Sequence, residues 1–421
     1  MVLHMIMKHI NFKRILFTAI AAVLFLSASI GLLPMQYDAA AVSVTSYNKA
    51  SNVIETMYDL GIINGIDRYD ALQEKLDVNV TRAEISKLVY HMFNGDKPLS
   101  ALSSGVFYDV PASHPLAAYV SYAVKNGIMA PYPNSYFKPD SIVTYAEAVR
   151  IFTDLYYGAN TFTFPYQYIA KAQGAGLLTK IRVINSNDPT TWSRPVTKGS
   201  AYNFIQNLLI NAYYDNASGR DILSERGLRV KRAKLIGTQY THDKNIFIPP
   251  SYNAVFEFDP QSESSNGTVQ SKAVFAKYDS SLENLVGYNV YIIYEDSDKS
   301  KTFNYTQIKA SDVYSGSDKS LFTYYTAVDR IVSIATCQNS AVTGKLTELK
   351  MLMTMSDRTF VYGGFNYILS SDFCLIVNGV LTGFGFDMEP QLKKYFGTNG
   401  NFTFVDTNDD GAYDTCIIEI W

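Results

Sequence analysis

At 421 residues the chain is long enough for two or three domains with true hydrophobic cores. Apolar residues make up 47% and charged residues 18%, which excludes wholesale disorder. Lys and Arg number 36 against 39 Asp and Glu, so no basic surplus exists to neutralise phosphates, which argues against a nucleic-acid binder.

The first segment sets the compartment. Lys8, Lys13 and Arg14 precede an apolar or small run from Ile15 to Leu33, and Ala39, Ala40 and Ala41 follow. A basic start, an apolar stretch and small residues at a cleavage site define a secretory signal. Residues 1–41 are read as that signal, with cleavage after Ala41. The alternative is an uncleaved anchor, because Ile15–Leu33 is almost long enough to span a membrane. Cys337, Cys374 and Cys416 allow at most one disulfide, so a disulfide scaffold is excluded. With His91, His114 and His242 alone after the signal, a His/Cys metal cluster is not expected.

Three windows then repeat one order of features, at about 47–93, 106–157 and 164–214. Each has an apolar-periodic helix, a Gly turn, a loop, and a Thr that opens a second helix. In the first, Val53, Ile54, Met57 and Leu60 make one buried face, and Gly61 stops the helix in a left-handed turn. Asn126-Gly127 is the same stop in the second window, and Gly174 and Gly176 serve in the third. The second helices begin at Thr81, Thr144 and Thr197. Thr81 with Glu84, and Thr144 with Glu147, have capping-box spacing, in which hydroxyl and carboxylate satisfy free amides at a helix start.

These windows resemble the S-layer homology (SLH) domain of bacterial surface proteins. The second carries the likeness most fully, in the F-Y-D-V opening at 107–110 and in "YPNSYFKPDSIVTYAE" at 132–147. The first keeps "LGIING" and an intact "TRAE" at Thr81–Glu84 but lacks the opening; the third is degenerate, with "TKGS" at Thr197–Ser200. The resemblance implies that residues 47–214 form a three-repeat helical bundle. It also implies anchoring, without a covalent bond, to secondary cell-wall polysaccharide, often pyruvylated, in grooves between repeats. The family's cationic position falls on Arg82. There a planar guanidinium at the first turn of a helix suits a ligand carboxylate. The family's acidic groove position falls on Asp109, which could equally stabilise a turn. Tyr145 stands where the second repeat has lost its Arg, as a sugar-stacking or a packing ring. Lys198 stands there in the third, and Pro131 replaces the Gly of the family's second turn. One groove, around Arg82 and Asp109, thus keeps the expected residues.

Residues 215–236 read as a charged junction, and 237–421 as a β-rich region of one or two modules. "NAVFEF", "SKAVFAKY", "YNVYIIYED", "RIVSIATC", "RTFVYGG", "FCLIVNGV", "NFTFVD" and "TCIIEIW" are short apolar runs split by turn residues. "MEPQLKKYFG" reads as a short helix. Near the end, Asp406, Asn408, Asp410, Gly411 and Asp414 space oxygen ligands at alternate positions before a turn glycine. A structural Ca²⁺ fits that pattern, and so does a plain hairpin turn of Asx residues. The fold class is therefore α then β, in separate domains. The functional expectation is a non-enzymatic secreted surface protein, in an S-layer or other structural role, with self-association or other surface proteins as further partners. The alternatives are a wall-anchored enzyme acting on polysaccharide and a carbohydrate-binding or adhesion module. No paired carboxylates sit in a recognisable hydrolytic motif.

Overall fold

The computed structural model describes residues 49–101, 105, 107–158, 162–181, 189–215, 220–239, 242, 254–258, 272–278, 282, 285–296, 303–309, 323–337, 340–354, 357–408 and 410–421. The signal expected at 1–41 lies outside the described residues. Ser43–Trp421 form one compact unit. No helix among the described residues is long and apolar enough to cross a membrane.

Helices fill the N-terminal half: α1 (Lys49–Asp59), α2 (Arg68–Leu72), α3 (Arg82–Asn94), α4 (Ala117–Lys125), α5 (Tyr145–Tyr157), α6 (Tyr166–Gly174), α7 (Pro189–Trp192), α8 (Lys198–Tyr214) and α9 (Ile222–Glu225). Local chemistry sets their ends. Thr81 and Thr144 close capping boxes with Glu84 and Glu147, while Thr197 accepts from the Ser200 amide alone. After α1, α4 and α6 the chain turns through Gly61, Gly127 and Gly176, with φ of 67°, 69° and 66°. In each case the next amide reaches back to a helix carbonyl: Ile62 to Met57, Ile128 to Ala123, Leu177 to Ala172. In the third window α6 runs through Gly174, so Gly176 alone makes the left-handed turn.

The three segments that open α3, α5 and α8 are bonded to one another in a ring. Val80 N–H donates to Val196 C=O at 2.9 Å, Val196 to Val143 at 2.8 Å, and Val143 to Val80 at 3.0 Å. A second ring follows two residues on, from Arg82 to Ser141, Tyr145 to Arg194 and Lys198 to Val78. The three valines are buried. First-turn helix amides have no partner within their own helix; here the first amide of each helix, at Arg82, Tyr145 and Lys198, finds one in a neighbouring segment.

Among the described residues of the C-terminal half, the strands form two sheets. Strands of the first are β1 (Leu228–Thr238), β2 (Ala254–Phe258), β3 (Lys272–Ala276), β4 (Asn289–Glu295), β5 (Tyr305–Gln307), β6 (Thr323–Ala327) and β7 (Ile331–Thr336), in the order β5-β6-β3-β2-β1-β4-β7. The second has β8 (Ser340–Lys345), β9 (Lys350–Thr354), β10 (Asp357–Tyr362), β11 (Phe365–Val377), β12 (Val380–Phe384), β13 (Gly400–Asp406) and β14 (Ala412–Ile420). Its order is β8-β13-β14-β11-β10-β9, with β12 paired to β11, and α10 (Glu389–Lys393) lies in the connection before β13. Two pairings are parallel, β3 with β6 and β11 with β14.

β1 begins inside the stretch that reads as a charged junction, and it occupies an interior place in its sheet. The junction reading fails because its charges find partners only in three dimensions. Arg229 is buried 3.2 Å from Asp296, and buried Lys234 reaches Asp372 at 2.8 Å. The first sheet is also sandwiched. Alternate residues face opposite ways, so Ile293 and Ala335 join the helical core while Ile292 and Ile334 pack against Cys374, Ile376, Val405 and Ile417 of the second sheet. A third core, with Phe360, Phe373, Phe402, Phe404 and Leu392, covers the second sheet's other face. All three cysteines are buried free thiols.

A polar seam joins the sheets. The Asn289 amide side chain donates to Thr407 Oγ1 at 2.9 Å and to Asp414 Oδ2 at 3.0 Å, and Thr415 Oγ1 donates to the Gly287 carbonyl. Burial pushes the Asp414 carboxyl up to about 6, although Lys234 pulls the other way. Its contribution to stability is therefore full below the ordinary value of 3.8 and is lost as pH rises through about 6, a change of roughly 3 kcal/mol. Asp372 has the opposite sign: burial opposes it, but the Lys234 ammonium holds its pKa down. Asp414→Asn is expected to be more stable than wild type at about pH 7.5 and to flatten stability between about pH 4 and pH 7. Urea unfolding across that range is the check; an unchanged slope assigns the titration elsewhere.

Candidate functional site at the interfaces between the helical segments

The residue after each capping threonine reaches the neighbouring segment, so Arg82, Tyr145 and Lys198 mark three interfaces. At the first, Arg82 is buried, its side chain 7% exposed. Its Nε donates to the Phe137 carbonyl at 2.9 Å and its Nη2 to the Ala130 carbonyl at 2.8 Å. Nη1 lies 3.5 Å from Glu147 Oε1. The guanidinium also sits 4.8 Å from the Tyr132 ring centre and 4.6 Å from that of Phe137. Asp109 holds the same loop from its other side: its two oxygens accept from the Phe137 amide at 2.9 Å and the Lys138 amide at 2.7 Å. Arg82 and Asp109 are thus brought together on loop 130–138, which they clamp through its backbone.

The groups this loop turns to solvent were not singled out in the sequence. Lys138 is exposed, with its ammonium 4.3 Å from the Tyr132 ring centre. Tyr108 and Tyr136 are 81% and 45% exposed, with ring centres 5.9 Å apart. All lie inside the two motifs already noted, beside Asp109, and that adjacency was the available signal. An exposed ammonium beside exposed aromatic rings can hold an anionic, hydroxyl-rich ligand by charge and by stacking.

The other two interfaces are built differently. The Tyr145 hydroxyl shares a hydrogen bond of 2.7 Å with Ser200 Oγ. Lys198 is paired with Glu74 at 2.6 Å, and the Tyr202 hydroxyl donates to the same carboxylate at 2.5 Å. The cation of the third interface is therefore neutralised within the chain.

In the Asx-rich turn the side-chain oxygens accept nearby amides. Asp406 accepts from the amides of Asn408, Asp410 and Gly411, and Asn408 Nδ2 donates to Asp410 at 2.9 Å. Asp414 points into the seam instead, against Thr407 and Asn289. Among the described residues no three His, Cys, Asp or Glu side chains converge as metal ligands would. The turn joins the antiparallel strands β13 and β14 and is braced by its own side chains.

This is a helical part packed on two β sheets. Residues 106–149 match the S-layer homology domain, so the chain carries that domain. A cell surface protein of Thermoanaerobacter kivui is 30% identical over 131 residues, which are 30% of this chain and 16% of that protein. A middle cell wall protein of Brevibacillus brevis is 25% identical over 204 residues, 47% of this chain and 18% of that protein. Cell surface glycoprotein 1 of Acetivibrio thermocellus is 25% identical over 111 residues. The chain spans less than a fifth of the length of these relatives.

Proposed function

We propose that this is a non-enzymatic, secreted cell-surface protein held to the wall without a covalent bond, with its β modules displayed outward. Its three helical windows act as one SLH-type bundle. The ligand is an anionic secondary wall polysaccharide, pyruvylated or otherwise acidic, bound at the first interface. Lys138, Tyr108 and Tyr136 make the contacts, while Arg82 and Asp109 hold the loop and Arg82 adds its charge from behind. Tyr145 contributes packing at the second interface. The observation that carries this reading is the coincidence, within the matched residues, of exposed Lys138 and Tyr136 on loop 130–138 and exposed Tyr108 beside it, with the loop clamped by Arg82 and Asp109. With one such interface, binding gains from neighbouring copies on the wall through avidity.

The test uses residues 43–421, because Leu228 and Val230 of the first sheet belong to the helical core. Co-sedimentation with purified walls is compared with walls stripped of secondary polysaccharide. Expected is pelleting with intact walls only, reduced at least about tenfold in Lys138→Ala/Tyr108→Ala. Equal pelleting with stripped walls, or undiminished pelleting of the variant, overturns the assignment.

A further inference from the structure

Lys180, Gln206, Arg232, Tyr291, Thr336 and Asn408 line a cavity of about 100 Å³ where the helical part meets both sheets. Lys180 follows α6 and Gln206 is on α8. Arg232, Tyr291 and Thr336 come from β1, β4 and β7, and Asn408 from the turn between β13 and β14. Neither Arg82, Asp109 nor Lys138 lines it. The charge of Arg232 is unbalanced here. A guanidinium stays charged at any working pH, and none of the described residues that line the cavity is acidic. The groups that act on Arg232 are Tyr291, whose hydroxyl lies 3.4 Å from Nη2, together with Tyr214 and Cys337. Burial holds both phenols above their ordinary values and the Cys337 thiol at about 11, so all three are uncharged at neutral pH. Lys180 is a second cation; its Nζ donates to the Thr336 carbonyl at 3.1 Å and to the Thr336 hydroxyl. Arg232 and Lys180 both act on the Cys337 thiol, which sets the two charges close together.

Gln206 narrows the kind of anion. It is 3% exposed, and its Oε1 has no hydrogen-bond partner. Burying such an acceptor unbonded costs free energy. Its Nε2 faces the Thr336 carbonyl at 3.5 Å, which also accepts from Lys180. Turning the amide over would set one carbonyl oxygen against another, so Oε1 is the atom left toward the cavity. A bare acceptor beside an unbalanced cation suits a ligand that carries negative charge and an O–H together. Hydrogen carbonate and hydrogen phosphate have both; sulfate and a phosphodiester have the charge without the proton. About 100 Å³ admits an ion of that size and excludes a polymer chain. We infer that this cavity binds a small hydrogen-bearing oxyanion, with its charge against Arg232 and its O–H donated to Gln206 Oε1. Bound there, the ion links α8 to β1, and its binding stabilises the folded chain.

The test titrates residues 43–421 with phosphate, hydrogen carbonate, sulfate and dimethyl phosphate at constant ionic strength and neutral pH, by calorimetry and thermal unfolding. Phosphate or hydrogen carbonate is expected to bind saturably and to raise the melting temperature. Sulfate and dimethyl phosphate should bind at least about tenfold more weakly. Arg232→Gln should raise the Kd of the hydrogen-bearing ion at least about tenfold. Gln206→Met keeps the length of the side chain and removes the unbonded acceptor. It should leave the ligand-free melting temperature unchanged or higher, and bring the preferred ion to within about threefold of sulfate. The inference is overturned if neither hydrogen-bearing ion binds, or if sulfate binds wild type as tightly as they do. It is overturned equally if Arg232→Gln binds as well as wild type, or if Gln206→Met keeps the preference over sulfate.

Discussion

Asp59→Ala is expected to lower the unfolding free energy by about 3 kcal/mol. Asp59 ends α1 with its side chain only 6% exposed. One oxygen accepts from Arg68 at 2.5 Å; the other accepts from the Tyr278 hydroxyl at 2.5 Å and from Ser333 Oγ at 3.0 Å. Tyr278 and Ser333 belong to the β half, so this one carboxylate ties helix to sheet. Removing it leaves the buried Tyr278 hydroxyl without its acceptor, at a cost of about 1–3 kcal/mol, and takes the counter-charge from Arg68. Arg68 is part-exposed and keeps Glu55 at 3.9 Å, which limits the loss. Asp59→Asn retains one acceptor and should cost about half as much. Urea unfolding measures both, and hydrogen exchange on β7 should rise selectively in the alanine variant. A loss below about 1 kcal/mol removes Asp59 from its coupling role.

Arg82→Ala should cost roughly 3 kcal/mol and abolish wall pelleting together, because one side chain performs both tasks. The alanine leaves the Ala130 and Phe137 carbonyls unbonded and opens space beside the Tyr132 and Phe137 rings. Arg82→Lys separates the tasks. An ammonium keeps the charge but is a point donor, and it cannot span two carbonyls as the guanidinium fork does. It should retain pelleting in part and still lose about 1–2 kcal/mol. Full pelleting by the alanine variant would show that the charge behind the loop plays no part in binding. Full stability of the alanine variant would show that Asp109 alone holds the loop.

Much of the helical half was legible because its signals are local. A Thr-x-x-Glu spacing satisfies amides within one turn, and a glycine after an apolar stripe ends a helix wherever the chain is placed. Thr81, Thr144, Gly61 and Gly127 accordingly do in the structure what their spacing implied. Arg82 was legible as a position and not as an environment. Nothing along the chain tells that two carbonyls from a loop some fifty residues on will occupy its donors. The same gap explains the junction. Arg229 and Lys234 read as solvated charges until Asp296 and Asp372 close on them. The strand runs from "NAVFEF" to "TCIIEIW" were legible by composition. Their division into two seven-stranded sheets, with parallel pairs β3–β6 and β11–β14, was not, since register depends on partners far apart in sequence.

By itself the sequence determined the order of materials, helical repeats and then strands, together with the caps, the left-handed glycines and the motif that marks a wall-associated surface domain. Each depends on interactions within a few residues. The tertiary structure decided the rest: the ring of hydrogen bonds through Val80, Val143 and Val196, the burial of Arg82, the sandwiching of the first sheet, and the cavity between Arg232 and Gln206. These depend on backbone and side-chain groups brought together from distant segments. Their free energy is realised only when water has been excluded from between them.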